Sequence, residues 1–166
     1  MQKPKLVAVD SNVLILLAEE DDLTIEAFDT IRLRIRPAQF VVPPVVVREL
    51  THKVRYDPHL KRPAERALRE MRPRWRCQAL LLNAVQEVVA DQAAKRLREA
   101  GLLPQEERND ASLLAQAAAL GCALLITYDS HLRDIDFEKL TLLLGELDLA
   151  APVLATPSEV VRKFYR

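Results

Sequence analysis

The stretch Leu6-Val7-Ala8-Val9-Asp10-Ser11-Asn12-Val13-Leu14-Ile15-Leu16-Leu17 constrains this chain more than any other. An apolar, partly β-branched run passes directly into an acid and two small polar residues, then into a second apolar run long enough to begin a helix. The pattern predicts strand, tight turn, helix. Asp10 then stands at the carboxyl end of the strand, which in an open α/β sheet is the edge where ligands bind. A helix starting at Ser11 or Asn12 points its partly positive amino end at the same place. Asp, Ser and Asn are also preferred helix N-caps, so a purely capping role fits this stretch equally well.

At 166 residues and 49% hydrophobic content the chain suffices for one core, and one unit over 1–166 is expected. No apolar run reaches the roughly 18 residues of a membrane span, and the N-terminus lacks the order of a signal peptide, so a cytoplasmic, membrane-free protein is expected. Cys77 and Cys122 are far apart and have no His or Cys at zinc-ligand spacing; both read as buried small apolar residues. The formal net charge is zero, which argues against coating nucleic acid by bulk attraction. Neither GxGxxG nor GxxxxGK[ST] occurs, which removes Rossmann and P-loop nucleotide binding.

Further along, Leu23 to Arg34 has helical spacing and Pro37 closes it, Phe40-Val41-Val42 reads as a short buried strand, and Pro44 can open a helix carrying Glu49 in its second turn. Alone, Glu49 would be a surface residue of an amphipathic helix. From Lys53 to Arg76 nine Lys or Arg face three acids, the one strongly basic stretch, and it begins a helical basic insertion at about 53–105. Lys61, Arg62, Arg66 and Arg69 can share one side of a helix and are the candidate nucleic-acid contacts. Pro58, Pro63 and Pro73 bound its pieces. Trp75 reads as a core anchor ahead of a base-stacking residue.

Gln78 to Leu103 reads as one long amphipathic helix with Leu81, Val85, Val88, Val89, Ala93 and Leu97 near the period and Gly101 as C-cap. Asn109 to Gly121 is a second helix with Asp110 in its first turn, where an acid is favoured by the macrodipole alone. Cys122 to Ile126 is an apolar strand ending in Thr127-Tyr128-Asp129, a repeat of the opening arrangement. Leu140 to Leu144 and Val153-Leu154 look like further strands. Thr156-Pro157-Ser158-Glu159 is a capping box that starts a last helix.

Strands alternating with helices imply an α/β fold, a central and mainly parallel sheet covered on both faces. Asp10, Glu49, Asp110 and Asp129 each follow a strand or start a helix, so all four can converge at one sheet edge. Carboxylates that close repel and hold raised pKa values unless cations neutralise them, and an all-oxygen set suits Mg²⁺ or Mn²⁺. One or two such ions could activate water for attack on a phosphodiester.

Val9-Asp10-Ser11-Asn12-Val13-Leu14, Arg48-Glu49-Leu50, Asn109-Asp110-Ala111-Ser112-Leu113-Leu114-Ala115 and Leu125-Ile126-Thr127-Tyr128-Asp129-Ser130-His131-Leu132 together resemble the PIN-domain family of metal-dependent ribonucleases. The resemblance covers nearly the whole chain and rests on joint motif order. It implies a three-layer α/β/α sandwich and four metal-binding, catalytic acids at Asp10, Glu49, Asp110 and Asp129, with Ser11, Asn12 and Thr127 as supporting polar residues. It further implies cleavage of single-stranded RNA with Mg²⁺ or Mn²⁺, a homodimer or higher homo-oligomer and, because many relatives are toxins of toxin–antitoxin operons, an antitoxin partner. The interval between Glu49 and Asp110 is long and basic beside the compact toxins. Among rivals, a haloacid-dehalogenase-type phosphatase would want a second Asp where Asn12 stands. A receiver domain would want an acidic pair and a late lysine. A non-catalytic RNA- or partner-binding member of the fold would have no physical reason to keep a costly cluster of like charges.

Overall fold

The computed structural model describes residues 2–164. Its centre is β1 (Lys5–Val9), whose last three residues are buried and which pairs in parallel with β2 (Ala38–Val42) on one side and β4 (Leu124–Ile126) on the other. The edges are β3 (Cys77–Ala79) beside β2 and β5 (Val153–Ala155) beside β4, giving one all-parallel sheet of order β3-β2-β1-β4-β5 among the described residues. Parallel strands need crossover connections, and here helices supply them: α1 (Ser11–Ala18), α2 (Asp22–Arg34), α3 (Pro44–Tyr56), α4 (Lys61–Glu70), α5 (Ala84–Glu99), α6 (Arg108–Ala119), α7 (Ser130–Arg133), α8 (Phe137–Gly145) and α9 (Pro157–Phe164). They cover the sheet in the expected α/β/α sandwich. Helices α1, α2, α4 and α9 pack among themselves, as do α5, α6 and α8. With both faces covered, the central strands are apolar throughout rather than alternating, and Val7, Ala8, Val9, Val41, Val42, Leu125 and Ile126 are fully buried.

Local chemistry explains most boundaries. Asp21, Asp136 and Asn83 accept the backbone N–H groups of Thr24, Lys139 and Gln86 at helix starts. Pro44 opens α3. Thr156 and Glu159 form the expected reciprocal capping box ahead of α9. Gly101 and Gly121 end α5 and α6 at φ of +72° and +76°, a backbone only glycine adopts without strain.

Four sequence expectations are corrected. The stretch from Gln78 is not helical at its start: Cys77–Ala79 is an edge strand, the Leu80 N–H donates to the Val42 carbonyl, and the Asn83–Gln86 capping box delays the helix to Ala84. Leu81, Val85 and Val88, expected to face inward, are 87%, 72% and 67% exposed; the inward face of α5 is Ala90, Ala93, Ala94 and Leu97. Leu140–Leu144 is helix, not strand, because Asp136 caps α8 and leucines at 140, 143, 144 and 147 satisfy a helical period; Leu140 and Leu144 are fully buried while Leu142 is exposed. Pro63, read as a boundary, sits inside the first turn of α4, where its missing N–H costs nothing. Trp75, Cys77 and Cys122 are buried, as expected.

Candidate active site

Asp10 follows the last residue of β1, caps α1 and lines a cleft at the carboxyl edge of the sheet. Its Oδ1 accepts the Ser11 N–H at 2.6 Å and its Oδ2 accepts the Thr127 hydroxyl at 2.7 Å. The residue is 4% exposed. Burial, aided by the charges of Glu49 and Asp129 and opposed by the hydrogen bonds from Thr127 and Ser11, raises its pKa to about 6. Thr127, fully buried at the end of β4, also accepts the Asp129 N–H at 2.9 Å, so one hydroxyl ties the ends of the two central strands together. The Asn12 side-chain carbonyl accepts the Tyr128 N–H at 3.3 Å, fixing the same crossing a second time.

The other acids come from three separate helices. Glu49, in the second turn of α3, is half-buried and held by Lys53 one turn on at 2.7 Å. Asp110 lies in the first turn of α6; its Oδ2 is buried and has no hydrogen-bond partner. Burial, together with the charges of Asp129, Asp10 and Glu107, raises the Asp110 pKa to about 8. Asp129 caps α7, accepting the His131 and Leu132 N–H groups at 2.8 and 3.3 Å. All four acids, with Ser11, Asn12 and Lys53, line one cleft of about 410 Å³.

Three contributors were not assigned from sequence. Lys53 enters the cleft beside Glu49. Glu107 and His131 join Asp110 in a group whose ligand atoms lie within 4.8 Å of one another, and His131 Nδ1 is 3.4 Å from Glu107 and 3.8 Å from Asp129. The i,i+4 step from Glu49 was readable for Lys53. For Glu107 and His131 the meeting of α6 with α7 is a tertiary fact.

The basic segment divides. Arg66 is bound by Glu20 at 3.0 Å, by Glu70 at 3.2 Å and by the Ala18 carbonyl, and Arg74 joins the same two acids. Arg69 leans on Glu70 at 3.9 Å. Leu60, immediately before α4, lines the acid cleft, and the exposed Lys61 and Arg62 that follow it have no ion pair among the described residues.

A buried carboxyl oxygen without a hydrogen-bond partner, carboxylates that raise each other's pKa, and oxygen donors from four elements fit a hard divalent cation. Fold and site together define an α/β/α domain centred on acids at the carboxyl edge of a parallel sheet. The PIN domain family model matches residues 7–138, which include all four acids, and the chain belongs to that family. Solved structures share the fold. The structure of VapBC2 from Rickettsia felis bound to a DNA fragment from their promoter aligns with a TM-score of 0.62 at 14% identity, covering 91% of this chain and 98% of that one. VapBC-1 from nontypeable Haemophilus influenzae aligns with a TM-score of 0.59 at 14% identity, covering 92% and 98%. No curated protein matches the chain.

Proposed function

We propose that the protein is a metal-dependent endoribonuclease that hydrolyses phosphodiester bonds of single-stranded RNA. The observation that carries this reading is the convergence of Asp10, Glu49, Asp110 and Asp129 on one cleft, with an oxygen of Asp110 buried and unpartnered. These four residues would hold Mg²⁺ or Mn²⁺, which when bound lowers the pKa of water and stabilises charge on the phosphodiester oxygens.

The chain's own residues prepare that cleft. Thr127 orients the Asp10 carboxylate by its hydrogen bond and favours the ionised form. Lys53 restrains Glu49 and offsets one of the clustered negative charges. Burial and the neighbouring acids hold the Asp110 pKa above the usual carboxylate range, so a cation held there would displace a proton from the cleft. Lys61 and Arg62 are proposed as substrate guides, since Arg66 and Arg69 already have acid partners.

A toxin role with an antitoxin partner is supported by the resemblance to toxin members of the family and by fold likeness to VapBC assemblies. A cytoplasmic location and a homodimer or higher homo-oligomer complete the reading. No helix among the described residues is long and apolar enough to cross a membrane. The test is incubation of mixed single-stranded RNA with the purified chain in Mg²⁺, Mn²⁺ or chelator. Cleavage only with a divalent ion is expected, and no cleavage with either ion contradicts the proposal.

A further inference from the structure

Across the α3–α6 ridge from the acid cleft lies a second cleft of about 680 Å³, built by α3, α5 and α6, in which positive charge predominates. Its walls carry four cations, Arg48, Lys95, Arg98 and Arg108, against two acids, Asp91 and Glu99. Lys95 is drawn toward Glu99 at 3.7 Å, whereas Arg48, Arg98 and Arg108 have no ion pair among the described residues. Arg98 is half-buried. Its Nη1 donates to the Gln105 carbonyl at 3.4 Å, but its Nε is buried with no acceptor. A guanidinium N–H withheld from water and left without an acceptor is a costly arrangement that an anionic oxygen would relieve.

The two clefts are linked through the helices that divide them. Successive residues on a helix point about 100° apart. On α3, Arg48 therefore turns to the basic cleft while Glu49 turns to the acid cleft; on α6, Arg108, Asn109 and Ser112 line the basic cleft while Asp110 lines the acid one. The Val45 N–H donates to the Gln116 side chain at 3.0 Å, locking α3 to α6 and fixing the separation.

We infer that this basic cleft binds backbone phosphates of the RNA strand flanking the bond positioned at the acid cleft, with Arg48, Arg98 and Arg108 as the phosphate contacts. The inference rests on the ribonuclease reading and adds a second set of cations to Lys61 and Arg62. A pocket of carboxylates repels the polyanion it must hold, and unpaired cations beside it offset that repulsion. Asn109 and Ser112 add uncharged hydrogen-bonding groups to the same wall.

The test measures binding of a fluorescein-labelled single-stranded oligoribonucleotide of mixed sequence by anisotropy across a salt series, in an Asp10→Asn background so that the RNA survives. Arg48→Gln with Arg108→Gln removes two exposed charges while leaving half-buried Arg98 to hold the scaffold. The slope of log affinity against log salt should flatten by about 1.4, from about 0.7 per lost single-strand phosphate contact. Arg48→Lys with Arg108→Lys should restore most of that slope, since release of counterions depends on charge. An unchanged slope in the glutamine variant overturns the inference and leaves the cleft to a protein or small anion; so does absence of RNA binding by the chain with both arginines intact. Cleavage of the same RNA by the unaltered protein is scored separately. Cleavage with an unchanged slope defeats this inference alone; a flattened slope without cleavage defeats the ribonuclease reading and with it the placement of the strand at the acid cleft, while the phosphate contacts of the basic cleft stand.

Discussion

Replacing Asp10 with Asn should stabilise the metal-free protein at alkaline pH. In the folded chain burial opposes the ionised form of Asp10 and raises its pKa to about 6, from about 4 for an ordinary aspartate. A carboxyl with a raised folded pKa contributes stability that is fully present below the unfolded value and is lost as pH rises through the folded one. A rise from about 4 to about 6 corresponds to about 3 kcal/mol lost between roughly pH 4 and pH 7. Asparagine carries no charge to bury, keeps an oxygen for the Ser11 N–H, and turns its amide toward Thr127 Oγ1, which must then accept rather than donate. Rearranging that hydrogen bond costs about 1 kcal/mol, leaving a net gain of about 2 kcal/mol at pH 8. For a chain of this size that is about 4–8 °C in Tm. Urea melts in chelator from pH 4 to pH 8, followed by fluorescence of the buried Trp75, measure it directly. Near pH 4 the gain should be gone, leaving the variant less stable than the parent by up to about 1 kcal/mol through the rearranged hydrogen bond. A variant less stable than the parent at pH 8 in chelator, or a gain independent of pH, refutes the assignment of Asp10 as a strained carboxylate.

Saturating Mn²⁺ or Mg²⁺ should reverse the order of those two proteins, stabilising the parent by about 3 kcal/mol at 100 times Kd, and the variant by much less; calorimetric melts with and without chelator check this. Thr127→Val removes the hydrogen bond that favours ionised Asp10, so it should cost more at pH 8 than at pH 4, by about 1 kcal/mol, in paired urea melts. Leu140→Ala should cost about 2–5 kcal/mol while Leu142→Ala changes stability by less than about 1 kcal/mol, a contrast in denaturant midpoints that only a helical α8 produces. Arg66→Ala should lower Tm through loss of the Glu20 and Glu70 contacts, whereas Lys61→Gln with Arg62→Gln should weaken RNA binding in a filter assay with little change in Tm.

The sequence made the core of the sheet and its acid-bearing ends legible because apolar strands that stop abruptly at Asp10 or at Thr127-Tyr128-Asp129 have few other readings. Helix α3 was legible for a similar reason, since Pro43-Pro44 marks where the helix carrying Glu49 begins. Strand β3 was hidden: three residues long, it buries only Cys77, and the helical period of the residues after it runs smoothly back over it. Helix α8 was mistaken because a leucine run satisfies strand and helix patterns alike, and the deciding cap, Asp136, lies outside the run. At the site, residue types and helix positions announced the four acids but not their electrostatic condition. The orphaned oxygen of Asp110, the approach of Glu107 and His131, and the withdrawal of Arg66 toward Glu20 all depend on elements distant in sequence.

The central claim, that four converging carboxylates form a cation-dependent phosphodiesterase site, is tested most directly by Asp110→Asn. Cleavage of mixed single-stranded RNA by this variant and by the unaltered chain is followed in Mn²⁺ and in chelator, beside a metal-binding titration of each. The account predicts cleavage by the unaltered chain in Mn²⁺ alone, with both cleavage and tight metal binding lost in the variant. Cleavage at the parental rate by the variant, or by the unaltered chain in chelator, contradicts it.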